Sequence, residues 1–223
     1  MKKYLLGASL VLLCNLLVAQ GVRLNVYGSY VFDDHFEVYE DAYNYYEGTI
    51  NGGFQWGAGI EFSRGPAQSY ELLYYNMDTE VPSVWQSGPA NSVNSEDMEL
   101  NLDYIMLAGN RHVMLADGKV ETYAGLLAGV ALINVKNPRT DNSESITKFG
   151  WGLRLGCNIW ASETVGVKLQ AQLLSAVQAA GGSAYIGTSG PGVGVSTYST
   201  IYQFGLGGGL TFKMGQRNAA NKG

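Results

Sequence analysis

Apolar and polar side chains alternate along most of the chain beyond residue 21, in about eight separate runs. The run at 50–62 shows the pattern best, because every second residue from Phe54 to Phe62 is apolar while Gln55, Glu61 and two glycines lie between them. Successive side chains of a β-strand point to opposite faces, so this alternation gives each strand one apolar and one polar face. The chain is therefore predicted to be all-β.

Eight strands in up-and-down order follow from these runs and from the turn signals between them. The predicted strands are 22–32, 50–62, 69–77, 97–107, 119–134, 147–161, 165–177 and 200–213. Three connections are short and rich in turn-forming residues. The other four are long, at 33–49, 78–96, 135–146 and 178–199. Short turns at one end and long loops at the other are typical of a closed antiparallel transmembrane β-barrel, whose apolar face meets lipid.

The same alternation assigns a face to each charged residue of the strands. In the fourth strand the apolar set from Met98 to Met106 is predicted to face lipid, which turns Glu99 and Asp103 inward. Over the whole barrel the predicted interior charges are Arg23, Glu61, Glu71, Glu99, Asp103, Glu121, Lys148, Arg154, Lys168 and Lys213. An eight-stranded barrel is only just wide enough for its own side chains, and unpaired buried charges cost several kcal/mol each. Paired charges that fill the interior are therefore favoured over a water-filled channel, and both interpretations remain open.

The first 19 residues are predicted to be a removable export signal, since Lys2 and Lys3 precede an apolar stretch at 5–18. That stretch is shorter than the roughly 20 residues that a membrane-spanning helix needs. The predicted organisation is a signal peptide at 1–19, an outer-membrane β-barrel domain at 20–214 and a polar C-terminal tail at 215–223. The predicted location is the outer membrane.

The composition limits which ligands and cofactors the chain is expected to bind. Loss of the signal removes two lysines and no acid, so the net charge changes from −5 to −7. An acidic chain is a poor partner for nucleic acid, because phosphate contacts need clustered Lys and Arg. Only Cys157 remains outside the signal, so no intramolecular disulfide and no cysteine-based metal site are expected. No cofactor is predicted.

Two segments carry a family resemblance. The glycine-rich alternating run at 123–131 and the closing run at 202–212 resemble the eight-stranded OmpA/OmpX-like outer-membrane barrel superfamily. The resemblance extends over essentially the whole mature chain. It implies outer-membrane lipid and the barrel-assembly machinery as partners, with Phe212 as the terminal aromatic residue that this machinery reads. The polar tail after Phe212 departs from the family pattern.

The first long loop is the best candidate for binding an extracellular ligand. Its clustered acids, histidine and tyrosines are Asp33, Asp34, His35, Glu37, Tyr39, Glu40, Asp41, Tyr43, Tyr45 and Tyr46. Carboxylates suit a divalent cation, and tyrosines are enriched at interfaces. The spacing is not that of a recognised calcium loop, so a solvated acidic loop is the alternative interpretation.

A structural and surface-interaction role, in envelope stability and loop-mediated binding, is the predicted function. A narrow porin-like channel for small solutes is the first alternative, and an outer-membrane enzyme or a soluble lipid-binding barrel is the next. The chain is predicted not to be an enzyme, because its two histidines, His35 and His112, lie at opposite ends and give no nucleophile with an oriented base. The soluble barrel would need its apolar faces inward and glycine on solvent-facing strand positions, where glycine is disfavoured.

Overall fold

The computed structural model describes residues 21–41, 44–87, 92–115, 118–138, 142–177, 184–187, 190–193 and 201–214. The predicted signal and tail lie outside the described residues. The twelve strands of the described part are β1 Val22–Val31, β2 Asp34–Asp41, β3 Asn44–Ile50, β4 Gly53–Ser63, β5 Gln68–Ser87, β6 Ser92–Met114, β7 Val120–Asn137, β8 Asn142–Trp160, β9 Val165–Val177, β10 Ala184–Gly187, β11 Gly190–Val193 and β12 Ile201–Met214. No helix in these ranges is long and apolar enough to cross a membrane.

Eight strands close into an antiparallel barrel, which confirms the predicted fold class. Their order around the wall is β5-β4-β1-β12-β9-β8-β7-β6, and the pairing of β6 with β5 completes the circle. Following the register once around from Val22 leads to Phe204 on β12 and then to Phe32, whose backbone N–H donates to the Phe204 carbonyl at 2.9 Å. The stagger of ten residues between Val22 and Phe32 tilts the strands and sets which inward side chains meet.

Both described chain ends and the three short connections lie at one end of the barrel, here called the turn end; the opposite end is the loop end. The loop end contains more strand than the sequence predicted. β5 and β6 continue to pair as far as Ser87 and Ser92, so most of the predicted loop at 78–96 is strand. The hairpin β2–β3 lies within the predicted loop at 33–49 and attaches to this extension through the pairing of β3 with β5. β10 and β11 form a separate hairpin.

The outside of the barrel is apolar over most of its height. Large exposed apolar side chains on the eight barrel strands include Leu24, Val26, Phe54, Trp56, Ile60, Leu72, Leu107, Leu126, Leu153, Leu155, Val167, Leu169, Phe204, Leu206 and Leu210. Soluble monomers rarely expose contiguous apolar patches larger than a few hundred Å², whereas a transmembrane barrel needs such a band for lipid. The outward faces predicted for β1, β4, β8, β9 and β12 agree with this wall.

The faces of β5, β6 and β7 exchange polarity toward the loop end. Met98, Leu102 and Tyr104 are 0% exposed in the interior, whereas Glu99 is exposed and Asp103 lies on the outer wall. The predicted faces of the fourth strand are therefore wrong, and neither Glu99 nor Asp103 lines the interior. Alternation separated the two faces correctly. At this level the outer face is polar, so the apolar face turns inward as it does in a water-soluble sheet.

Candidate functional site

The interior contains a polar network at the turn end. Toward the loop end, β5, β6 and β7 contribute an apolar layer, alongside buried polar side chains of other strands such as Gln55, Ser175 and Gln203. β6 shows the division along one strand, because its inward residues are His112 and Asn110 near the turn end and Tyr104, Leu102 and Met98 further on. The polar network consists of Arg23, Asn25, Tyr27, Glu61, Glu71, Asn110, His112, Glu121, Arg154 and Lys168. The apolar layer consists of Val81, Met98, Leu100, Leu102, Tyr104, Ile133, Val135 and Ile201.

Arg154 on β8 and Glu71 on β5 form the central ion pair of the polar network. Arg154 is 2% exposed and Glu71 is 0% exposed, and the Arg154 Nη2 donates to Glu71 Oε2. Arg154 also donates to Asn110 Oδ1 from Nη2 at 2.9 Å and from Nε at 3.1 Å. Tyr27 Oη at 2.5 Å and Asn25 Nδ2 at 2.7 Å donate to Glu71 Oε1. A buried ion pair offsets its desolvation cost when such additional hydrogen bonds are present.

A second charged group closes the turn end of the interior. Arg23 Nη1 donates to both Glu121 carboxylate oxygens, at 3.0 and 3.1 Å. His112 lies between two acids, with Nδ1 2.8 Å from Glu121 Oε1 and Nε2 3.2 Å from Glu61 Oε1. Lys168 Nζ lies 3.6 Å from Glu61 Oε2. This second group thus brings together side chains from five strands, in which each cation or histidine lies beside a carboxylate.

Eight of the ten charges that the sequence assigned to the interior lie there: Arg23, Glu61, Glu71, Glu121, Lys148, Arg154, Lys168 and Lys213. Six of them belong to the polar network. Lys148 is buried at the level of the apolar layer, opposite Ala131 of β7. Lys213 lies at the turn end, with Nζ 3.6 Å from the centre of a Trp160 ring.

No place in a site was predicted for His112, Asn110 or Tyr27. The available signal was the alternation of β6, which continues to Met114, well beyond the predicted strand end at 107. Because His112 and Asn110 are two residues apart, that continuation would have placed both on one face. No pattern within a single strand indicated that His112 would meet Glu61 and Glu121, which lie on two other strands.

A row of hydrogen-bonded polar side chains crosses the outer wall where the faces exchange polarity. Trp56 Nε1 donates to Asn76 Oδ1 at 3.0 Å, and Asn76 Nδ2 donates to Asp103 Oδ1 at 2.8 Å. Tyr74 Oη donates to the same Asp103 oxygen at 2.5 Å. Unpaired polar groups are costly in an apolar medium, so this paired row forms a suitable upper border for the apolar wall.

The predicted loop site is described only at its start. Asp33 Oδ1 accepts the Gly52 N–H at 2.6 Å, and Asp34 Oδ2 accepts a backbone N–H at the start of β12 at 2.9 Å. His35 Nδ1 lies 2.7 Å from Thr49 Oγ1 on β3. These contacts attach β2 to the barrel rim. The described part contains no group of three or more His, Cys, Asp or Glu residues arranged to hold a metal ion.

The remaining residues of that predicted site lie wholly or partly outside the described part of the chain. The side chains that lie outside the described part are those of Glu37, Tyr39, Glu40, Asp41, Tyr45 and Tyr46, whose backbones belong to β2 and β3. Tyr43 lies wholly outside the described residues. A ligand of this loop stays a prediction.

The fold is that of the eight-stranded outer-membrane barrels. Neisserial surface protein A is 10% identical, with 86% of this chain and 97% of that chain aligned at a TM-score of 0.58. The outer membrane protein OprG from Pseudomonas aeruginosa is 13% identical, with 86% and 96% aligned at a TM-score of 0.55. Identities this low show shared architecture alone. No protein-family model and no curated protein matches the sequence.

Proposed function

We propose that this chain is an integral outer-membrane protein whose non-conducting barrel anchors a protruding β-structure for contacts at the cell surface. The observation that carries the proposal is the exchange of polarity along β5, β6 and β7. Each of these strands has an apolar outer face near the turn end and a polar outer face near the loop end. One continuous wall is thus suited to lipid below and to water above.

The height of the apolar wall supports the membrane placement. On β7 the outward residues are apolar from Ala124 to Leu132, and they are bounded by Thr122 on one side and Asn134 on the other. This length matches the roughly 9–11 residues with which a tilted strand crosses a bilayer. β5 and β6 extend far beyond that level, and the β2–β3 hairpin attaches to them there.

The interior supports a barrel that does not conduct. The charges at the turn end are paired with one another, and β5, β6 and β7 contribute an apolar layer to the interior toward the loop end. An ion that entered would exchange its hydration shell for side chains such as Leu102 and Met98, which offer no polar partner. The remaining predictions, that the chain is not an enzyme and that it uses the barrel-assembly machinery, stay predictions.

Cysteine labelling on intact cells tests the placement. In a Cys157→Ser background, Asn134→Cys is expected to react with a membrane-impermeant maleimide, because Asn134 is exposed above the apolar wall. Thr122→Cys lies at the opposite, turn-end border of the same wall on β7. It is expected to react only after the outer membrane is opened. If Thr122→Cys reacted on intact cells and Asn134→Cys did not, the barrel would have the opposite orientation. Recovery of the protein in the soluble periplasm would reject the membrane placement.

Planar-bilayer recording tests the closed interior. The inserted wild-type protein is expected to give no stable conductance steps, because the buried charges are paired and an eight-stranded barrel is only just wide enough for its own side chains. Labelling of Asn134→Cys in the same bilayers serves as the control for insertion. Reproducible steps that disappear when Glu121 or Arg154 is changed would support a narrow channel through the polar network instead.

A further inference from the structure

A groove of about 480 Å³ opens on the outer wall near the turn end, between β5 and β8. Two rows of paired outward residues form it. The row farther from the turn end is Tyr70, Gly109, Leu126 and Leu153, and the row nearer to it is Gln68, Arg111, Ala124 and Leu155. The groove exists because Gly109 has no side chain and Ala124 has only a methyl group, while their neighbours are large.

Arg111 gives this groove one charged end. Its side chain is exposed on the outer wall, beside Gln68 of β5 and Ala124 of β7. Within the described ranges, no carboxylate forms an ion pair with it. A lipid-facing arginine is strongly destabilising at the centre of a membrane but is tolerated near the interface. Arg111 pairs with Ala124, which is two residues from Thr122 on β7, and this position agrees with the interface on the turn-end side.

We propose that this groove holds one phospholipid of the periplasmic leaflet, with the phosphate on Arg111 and an acyl chain in the gap at Gly109. The leaflet follows from the proposed placement of the turn end in the periplasm, so the inference rests on the proposed function. Guanidinium groups bind phosphate through two parallel hydrogen bonds, and the amide of Gln68 adds a neighbouring donor.

The chemistry of the groove favours a phospholipid over other occupants. Its apolar walls, Tyr70, Leu126 and Leu153, lie on the lipid-facing side of the barrel, where acyl chains are the surrounding solvent. Of the two arginines that line the groove, Arg154 is buried, and the exposed one, Arg111, lies at the turn-end side, where headgroups meet the wall. An amphiphile with an anionic head and an apolar chain matches both features, whereas a soluble anion would use only Arg111.

Two substitutions test the two halves of the site. Arg111→Gln removes the charge and keeps a polar side chain. Gly109→Leu fills the gap, and the backbone accepts it because a Cβ at Gly109 meets only Tyr70 Cε1, at 4.0 Å. The matched control is Arg64→Gln, which removes an exposed arginine at the same end but outside the groove.

The measurement is native mass spectrometry of the detergent-solubilised full-length mature protein, titrated with phosphatidylglycerol. Wild type and Arg64→Gln are expected to retain one phospholipid. Arg111→Gln is expected to bind about tenfold more weakly, since it replaces a charge-assisted hydrogen bond to the phosphate by a neutral one. Gly109→Leu is expected to lose the bound lipid at the same concentrations.

Equal retention by wild type, Arg111→Gln and Gly109→Leu would overturn the site, and so would a wild type that retains none. A protein that is labelled at Asn134→Cys on intact cells and yet retains no phospholipid would refute the lipid site while leaving the membrane placement intact. Recovery in the soluble periplasm would remove both.

Discussion

Replacing Arg154 by methionine is expected to lower the free energy of unfolding of the barrel by about 3–5 kcal/mol. The substitution leaves Glu71 fully buried without its cation, and it removes the donors that Arg154 directs at Asn110. Methionine keeps most of the side-chain length, so the loss reports the charge more than the packing. Urea titration of the protein in lipid vesicles, followed by tryptophan fluorescence, gives the free energy of unfolding.

A double variant and an exposed control make this result interpretable. Glu71→Gln combined with Arg154→Met removes both charges and is expected to recover most of the lost stability, because neither charge of this pair is left without its partner. Arg64→Met, at an exposed arginine, is expected to change stability by less than about 0.5 kcal/mol. If Arg154→Met were as stable as Arg64→Met, the polar network would not be what holds the interior together.

Valine at position 209 is expected to prevent closure of the barrel. A Cβ on Gly209 would overlap the carbonyl oxygen of Val26, on the strand that pairs with β12. The two backbones must separate, which breaks the ladder between β1 and β12. Open strand edges in lipid leave N–H and C=O groups without partners, at several kcal/mol each. The expected result is loss of the compact, protease-resistant form in membranes, measured by gel mobility without heating and by trypsin digestion.

Gly109→Val is the matched control for the closure of the barrel. It introduces the same side chain into another barrel strand, at a glycine where the new Cβ has only Tyr70 within 4 Å. This variant is expected to fold like wild type, because valine favours strands and the backbone is unobstructed. A Gly209→Val protein with wild-type mobility and protease resistance would show that the contact between β1 and β12 tolerates a side chain.

The strands and most of their faces were predictable because alternation is a local property. Leu153 and Arg154 are neighbours on β8, and one faces outward while the other is buried, as their polarity predicted. The ends of β5 and β6 were less accessible to prediction. Their extensions around Pro82 and Asp97 read as loop in isolation, but the two chains pair with each other there and so become strand.

Alternation separates the two faces of a strand but does not say which solvent each face meets. With one solvent along the whole of β6, Met98 and Leu102 would face outward, as predicted, but both are buried in the interior. That assumption holds near Leu107, which faces outward, and fails at Asp103, which lies on the outer wall beside Tyr74. The predicted faces of β6 were therefore wrong because the medium around the strand was taken to be the same along its whole length.

The contacts of the polar network were beyond prediction for a different reason. Arg154 and Tyr27 are 127 residues apart in sequence, and Arg23 and Glu121 are 98 apart. Which charges meet depends on the stagger of the barrel, and no single strand records it. The sequence limited the choice of partners to inward-facing residues, and the register then selected among them.

Strands β5 and β6 continue without a break beyond the apolar wall. The distance that the protein extends from the membrane surface is therefore independent of the membrane's thickness. Consider two residues inserted into both β5 and β6, on the loop-end side of the level of Asp103. They would move the β2–β3 hairpin roughly 6–7 Å further along the strand direction. Every other side chain would keep its orientation, because the insertion preserves the two-residue period. The protein therefore contains a spacer that short paired insertions lengthen, while the part within the bilayer stays the same.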